Sequence, residues 1–476
     1  RTLARPGVLT TVLDGAAETA VLAEFISDQT AYPVMEGRPD LYRAFMCQVW
    51  QHQSGRGISS LIHMETHFTD AKTPRLRAAA YQHLRRHWQF INELHLFEIQ
   101  NQKQYGVNIY GTERAPSFLH ATSLYHPETV QRSLIHDGSG EEPGFKDPHT
   151  GTWDLRPHAA RIQSVDESTL KTWKTVTEAD DWQSTPMVST VNSAASRTLA
   201  TLGTRPRIGA LNLQFSTGWN ETTDFQKGLF SKQWGPSSWG STILQGSHLY
   251  VSTPLYKQPN RTMANQRDWT STDLEALSSS VQPVTQYKPA DDRAAYDSLY
   301  THWDDVSSAN FYRVAWRQMA ANTGERTLIP TIIPPGPTYV FTIHSAATSV
   351  RNTPILAASA SSLLADFMIR SSPKAHILPP SFSRIPTLDS DHQLISSIAL
   401  RSLRLNCLTD AYADLWTECW DESFVADAPI LERYDERPIG PDWTADTPLR
   451  RAEDRRNAQA EIDVMVAMML GVPIED

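Results

Sequence analysis

The sequence predicts an α/β fold whose sheet ends in a β-ribbon, followed by a mixed α+β region and C-terminal helices. Three observations carry that expectation. Residues 38–111 run through helix, strand, helix, strand and strand periodicities in turn. At Ser241 the texture changes to β-branched and aromatic residues with stretches of period two. Near the end, apolar residues return at helical spacing, as Leu403, Cys407, Leu408, Tyr412 and Trp416, then Ile462, Met465, Val466 and Met469.

The elements follow in order. A helix is expected around Leu13–Ile26, then a turn near Tyr32-Pro33. Leu41, Phe45, Val49 and Trp50 mark one face of the next helix. Gly57 opens the short apolar run Ile58–Ile62, which suits a buried strand. Thr73-Pro74 starts another helix, with proline at the first position, where a missing N–H costs nothing. Its stripe is Leu76, Ala79, Ala80 and Leu84. Glu93–Ile99 and Tyr105–Tyr110 read as the two strands of the ribbon.

Residues 112–200 are rich in Ser, Thr, His, Asp and Pro, and His136–Gly151 reads as a long loop. Its Gly-x-Gly lies among acidic residues that would repel phosphate. Residues 160–230 resemble a connector more than a core. Ser241–Tyr256 reads as strands. Phe311 and Tyr312 start another, with Arg313 and Arg317 four apart around Trp316. Arg326 precedes an apolar strand over Leu328–Ile333. Pro354–Ile369 is an apolar helix, Arg370–Pro386 an irregular Pro-rich segment, and Leu400–Trp420 and Pro448–Leu470 are helices. No internal repeat shows.

Length allows two to four domains, and the composition is ordinary for a globular protein. No apolar run approaches the ~20 residues of a membrane span. No signal peptide is legible. Cys47, Cys407 and Cys419 are odd in number and unpaired in spacing. They fit free thiols in a reducing, cytoplasmic setting, and a structural zinc site is not expected. The net charge of −10 is uneven. Residues 408–476 hold 17 Asp/Glu and 6 Lys/Arg, a net of −11, while 306–404 hold 9 Lys/Arg and 4 Asp/Glu, a net of +5. Phosphate binding depends on a local basic surface and not on the total, so 306–404 is expected to offer one. A solvated surface with chance clustering is the plainer alternative.

The block P-D-L-Y-R-A-F-M-C-Q-V-W, G-I-S-S-L-I-H-M-E-T-H-F, E-L-H-L-F-E-I and Y-G-V-N-I-Y-G over 38–111 resembles the second half of the catalytic domain of amino-methylating DNA methyltransferases. It is most similar to the large adenine methylases of type IIG restriction–modification and of BREX or DISARM phage defence. The resemblance continues in patches over Ile243–Pro259, Tyr312–Pro335, Leu363–Pro386 and the C-terminal helices. It implies the second half of a Rossmann-like methyltransferase sheet, then a mixed α+β target-recognition domain and C-terminal helices. The implied division is a partial catalytic domain over 1–125, a connector over 126–240, a recognition domain over 241–400 and an acidic helical segment over 401–476.

Two parts of such an enzyme are missing from the sequence. The Gly-rich cofactor turn and the Asn/Asp-Pro-Pro-aromatic tetrapeptide have no counterpart. The Pro-Pro pairs Ile333-Pro334-Pro335-Gly336 and Leu378-Pro379-Pro380-Ser381 lack both the acceptor and the ring. These elements are expected upstream or on another chain, which would then bind most of the cofactor, S-adenosylmethionine. The chain is not expected to be active alone. The implied substrate is a flipped adenine in double-stranded DNA. The implied partners are that DNA, the upstream catalytic half and, for a defence complex, other subunits. A non-catalytic DNA-recognition or specificity subunit is the alternative, and an unrelated α/β protein with an acidic tail a third.

The resemblance places Phe97 at the corner before the ribbon, where an aromatic stacks on the extruded base; Tyr105 is a second candidate. The plain alternative for Phe97 is a core strand residue. Asp40, Leu41 and Tyr42 match the family's D-L-Y and would line the cofactor pocket; a helix N-cap with two packing residues is the alternative. His63, Glu65 and His67 would point to one side of a strand, which permits a metal pair. No third ligand stands at recognisable spacing, and the three are expected at the active-site mouth. Lys257, Arg261, Arg313, Arg317, Arg326, Arg351, Lys374 and Arg384 form the pool for phosphate and base contacts. A Ser or Cys nucleophile has no support, because no G-x-S-x-G occurs and Cys47 lies within a predicted helix. No convincing nuclease carboxylate cluster shows.

Overall fold

The computed structural model describes residues 5, 7–37, 39–320, 324–371, 376–431 and 439–473. They divide into two compact units between Thr204 and Arg205.

In the first unit, α1 (Val8–Ile26) precedes α2 (Leu41–His52), β1 (Ser59–His63) and α3 (Pro74–His83). Then come β2 (Leu84–Ile91), β3 (Gln104–Tyr110), β4 (Phe118–Leu124), α4 (Pro127–Ser133), β5 (Gln163–Val165), α5 (Glu167–Thr177) and α6 (Ser193–Gly203). The sheet order is β1-β3-β2-β4-β5. β3 runs antiparallel between β1 and β2, and β4 is parallel to β2. Of the expected terminal ribbon only the strand Tyr105–Tyr110 forms, as β3; it pairs with β2 rather than with Glu93–Ile99, and the pair lies inside the sheet with β1 beyond it. In β2 the run His87, Trp88, Gln89, Phe90 is buried on both sides. A strand covered on both faces has no alternation to read. Glu93–Ile99 instead begins in a 3-10 turn, Asn92–Leu94, and continues as a loop.

Two further expectations change. β1 is an edge strand: among the described residues it pairs with β3 alone. One of its faces is bare, with Ile58 73% and Ile62 58% exposed. In α2 the buried residues are Arg43, Ala44, Met46 and Cys47. Of the apolar face read from the sequence, Leu41 is 51% and Phe45 64% exposed, whereas Val49 and Trp50 are half-buried and Trp50 packs on the core. Residues 160–204 are core and not a loose connector. α5 is capped by Asp166, which accepts from Thr169 N at 3.0 Å, and α6 by Asn192, which accepts from Ala195 N at 2.8 Å. They bury Leu170, Trp173, Leu199 and Leu202. A Cβ on Gly203 would lie 2.9 Å from Val176 Cγ2, so the two helices meet at that glycine. The long loop over His136–Gly151 contains no regular element.

The second unit is built on an antiparallel sheet of β6 (Gln214–Thr217), β7 (Arg313–Arg317), β8 (Pro330–Ile333) and β9 (Ile343–Ala347), in the order β8-β7-β9-β6. Helices α7 (Thr353–Ser361), α8 (Leu363–Ser371), α9 (Ile395–Asn406), α10 (Ala413–Cys419) and α11 (Ala452–Leu470) follow. Ser241–Tyr256 is not a set of strands. Ile243–Leu244 makes a two-residue parallel pairing, and the rest is turns, with Ser252 and Leu255 at φ 49° and 60°. Left-handed residues interrupt pairing whatever the β propensity nearby. The expected helix Pro354–Ile369 is two helices, broken at Ser362, where ψ is 154°. Leu400–Trp420 is likewise split, by Cys407 at ψ 56° and a 3-10 turn over Asp410–Tyr412. In α9 Ile398–Asn406 is buried without a break, so helical periodicity marks no outer face there.

The charge segregation of the sequence closes inside this unit. Arg326 bonds Asp463 at 3.0 Å. Arg401 bonds Asp427 at 2.7 Å and Glu461 at 2.5 Å. Two of the nine cations over 306–404 are therefore paired with the acidic C-terminal segment rather than displayed. No helix among the described residues is long and apolar enough to cross a membrane.

At Gly218 two backbones cross: a Cβ there would lie 2.3 Å from the carbonyl carbon and oxygen of Val340. On either side, Trp219 N donates to Tyr339 O and Phe341 N to Trp219 O. Gly218→Ala is expected to destabilise the second unit by at least ~2 kcal/mol, since neither backbone can retreat. Urea denaturation of the variant measures it; an unchanged midpoint would contradict the crossing.

Candidate active site

The residues of H-x-E-x-H turn inward together. His63 ends β1, Glu65 precedes a 3-10 turn and His67 lies in it, Thr66–Phe68. They stand beneath the sheet rather than at a mouth: all three are buried. Glu65 Oε2 meets His87 Nε2 at 2.6 Å, His87 Nδ1 meets His120 Nδ1 at 2.8 Å, and His120 Nε2 meets Val188 O at 3.2 Å. This row joins the turn after β1 to β2 and β4.

Its protons can be counted. A carbonyl only accepts, so His120 Nε2 carries hydrogen and His120 Nδ1 accepts from His87. The bond from His87 Nε2 to Glu65 then needs one further proton, on either partner. The row as a whole carries no net charge, the state that burial favours. Gly106 makes room for it: a Cβ there would lie 1.9 Å from Glu65 Oε1. Among the described residues Glu65 Oε1, His67 Nε2 and both amide atoms of Asn108 have no hydrogen-bond partner. Beside the row, His63 Nε2 bonds the Tyr110 hydroxyl at 2.9 Å, and Tyr42 stacks on His63 at 5.4 Å. Burial holds His67 and His120 well below the usual imidazole range and lowers His63 as well. No group of three or more His, Cys, Asp or Glu among the described residues could hold a metal.

Phe97 is not a core strand residue. It stands in the loop from β2 to β3, 42% exposed, with its ring edge-on to Tyr105 at 4.8 Å. Asn92 shapes that loop from beneath. Its buried amide donates to Phe97 O and Ile99 O, each at 2.9 Å, and accepts from Phe97 N at 3.0 Å. Tyr105 is buried and stacks on Phe90 at 5.6 Å. It supports Phe97 and presents no free face.

At the start of α2, Asp40 and Leu41 are exposed, and the Asp40 carboxylate makes no cap hydrogen bond. Tyr42 is engaged elsewhere, with its hydroxyl on Thr66 Oγ1 at 2.8 Å and beneath Arg43 Nε at 3.2 Å. The proposed D-L-Y group is thus two outward residues and one structural one.

The cation pool separates in the same way. Arg313 is fully buried and donates to Phe311 O and Pro337 O, so its charge holds carbonyls and reaches no surface. Arg326 is closed against Asp463. Arg317 donates to Leu249 O, and burial lowers its pKa. Arg384 is half-buried, Lys257 lies 5.2 Å over the Tyr256 ring, and Arg261 and Arg351 are exposed. Lys374 lies outside the described residues.

Sequence reasoning missed His87, His120, Asn92 and Asn108. Their signal was faint: in His87-Trp88-Gln89-Phe90 polar residues alternate with aromatics in a run assigned to no element, Asn108 sits in the strand expected over Tyr105–Tyr110, and His120 in a stretch read only as polar. All three cysteines are buried, and burial pushes the Cys47 thiol up to about 11, which removes it as a nucleophile.

Two outcomes follow. Asn92→Ala removes three hydrogen bonds that a buried amide makes to an exposed loop and is expected to cost ~1–3 kcal/mol. Hydrogen exchange at the Phe97 amide should accelerate; unchanged exchange would mean the loop holds itself. The second outcome concerns pH. His63, His67 and His120 have folded-state pKa values below their unfolded ones, so the unfolded chain binds more protons in acid. Their contribution is present above about pH 6.5 and is lost as pH falls below it, by up to ~1.4 kcal/mol per pH unit for each imidazole. Urea midpoints at pH 6.5 and 5.0 should fall in that order, and equal midpoints would argue against buried neutral rings.

No protein-family model matches this chain, and no curated protein matches it. Among the solved structures that resemble it are two at low identity. One is the type IIG restriction endonuclease BpuSI, at 11% identity and a TM-score of 0.27, covering 92% of this chain and 50% of that one. The other is the type IIL restriction–modification enzyme MmeI in complex with DNA, at 7% identity and a TM-score of 0.35, with the same two coverages. The chain therefore spans about half the length of each.

Proposed function

We propose that this chain is part of a site-specific DNA adenine-N6 methyltransferase of a bacterial restriction–modification or phage-defence system. The observation that carries the reading is the unfinished side of the first unit. Among the described residues β1 has an unpaired outer edge; Ile62 on it, Ile58 just before it, and Leu41 and Phe45 on α2, lie bare. An open edge flanked by apolar side chains favours further strands and a covering layer. Such strands would bring the Gly-rich turn and the catalytic tetrapeptide next to the exposed start of α2. Phe97, held by Asn92 and braced by Tyr105, offers a ring face outside the core, which suits stacking on an extruded adenine.

S-adenosylmethionine would supply the methyl group. Asp40 and Leu41 are free to meet it, and Tyr42 acts through the packing of α2 instead. Among the described residues of the pool, exposed Arg261 and Arg351, with half-buried Lys257 and Arg384, remain as contacts for duplex phosphates. A second reading, a recognition subunit without catalysis, gains from one observation. Ile333 and Pro334 of the first Pro-Pro pair are buried at the end of β8, so that pair cannot serve as a substitute tetrapeptide.

Calorimetry of the chain with S-adenosylmethionine should give no binding, and tight binding would refute the incomplete site. Duplex binding followed by fluorescence anisotropy should weaken as salt rises; no salt-dependent affinity would remove the DNA reading. In the enzyme reconstituted with its catalytic half, Phe97→Ala should lower methylation about a hundredfold. Duplex affinity should stay within about threefold. The difference corresponds to stacking that acts on the extruded base, and equal losses would return Phe97 to a structural role.

A further inference from the structure

The second unit contains a cavity of about 360 Å³ that none of these roles uses. Small-molecule sites begin at ~300 Å³. Part of its lining is aromatic: Tyr250 and Tyr256 stack with centroids 4.7 Å apart and planes 26° from parallel. Another part is cationic, made by Arg450, Arg455 and Arg456.

Arg455 is the informative one. Its guanidinium is buried and held by neutral acceptors alone. Nη1 donates to Leu405 O at 3.0 Å and Leu449 O at 2.8 Å, and Nη2 to Ser252 O at 2.9 Å and Thr253 Oγ1 at 2.8 Å. Burial, with the like charge of Arg450 beside it, pushes its pKa down to about 10. A cation buried without a counter-ion favours an anion nearby. Arg456 is exposed at the same lining, where an anion could reach it. The Thr272 hydroxyl lines the cavity as well and has no hydrogen-bond partner among the described residues.

Two exposed carboxylates, Asp273 and Glu275, complete the set. They disfavour a bare polyanion and favour a ligand with hydroxyl donors beside its negative group. The required ligand thus has a flat ring for the tyrosines, an anion for the arginines and hydroxyls for the carboxylates. A nucleotide has all three in one molecule: base, phosphate and sugar.

We propose that this cavity is a nucleotide-binding site, with the base on the Tyr250–Tyr256 stack and the phosphate toward Arg455 and Arg456. The nucleotide comes either free or as a unit of a nucleic acid strand. The site stands on its own chemistry and does not need the methyltransferase reading.

The test is calorimetric titration of the full chain with adenosine 5′-monophosphate, adenosine, inorganic phosphate and a short single-stranded oligonucleotide. Adenosine 5′-monophosphate should bind at least about tenfold more tightly than adenosine or phosphate. Tyr250→Ala and the surface variant Arg456→Ala should each weaken it by about tenfold, with circular dichroism confirming that both fold. If the oligonucleotide alone binds and loses affinity in both variants, the nucleotide is read within a strand. If neither ligand binds, or both variants bind as the parent does, the proposal is overturned.

Discussion

A carboxylate closed beneath the first sheet constrains that unit more than any other group. Glu65 lies in the turn after β1, and its partner His87 lies on β2, with β3 between their strands. The pairing is possible only because β3 has no side chain at Gly106. From Glu65 the hydrogen bonds run through two imidazoles to the carbonyl of Val188, so β1, β2, β4 and the segment before α6 share one neutral polar row. Removing any member would leave a buried polar group unsatisfied, and that cost forces the strands into this order.

The second unit is organised by a different rule, matching of charge between distant segments. Arg326 and Arg401 come from the basic stretch, and Asp427, Glu461 and Asp463 from the acidic end. What looks in one dimension like a basic surface beside an acidic tail is in three dimensions linked by internal pairs at Arg326 and Arg401. Arg313 and Arg455 go further and hold backbone carbonyls. A DNA reading must therefore rest on a few exposed cations and not on regional charge.

The two units differ in what they leave uncovered. Besides the bare side of β1 and α2, α1 exposes Leu9, Leu13, Val21 and Phe25. These exposed apolar side chains, with the open edge of β1 among the described residues, are the main physical support for an additional layer, and so for the methyltransferase reading. The second unit instead has its own sheet and helices, and its candidate ligand cavity is local, with aromatic and cationic side chains in its lining.

Much of the element order was legible from the chain alone. The helix over Leu41–His52, the proline start of α3, the short strand after Gly57, the strand Gln104–Tyr110 and the C-terminal helix ending at Leu470 all follow from period and turn chemistry. These signals are local, and local backbone preferences suffice for them. Where the two faces of an element are both buried, as in β2 and α9, periodicity disappears, and boundaries were misplaced there. Which face of α2 is buried, which arginines keep a free charge, and that Glu65 would find His87 and His120 were decided by tertiary packing. Each depends on residues far apart in the chain competing for the same buried space, and no window of sequence contains both competitors.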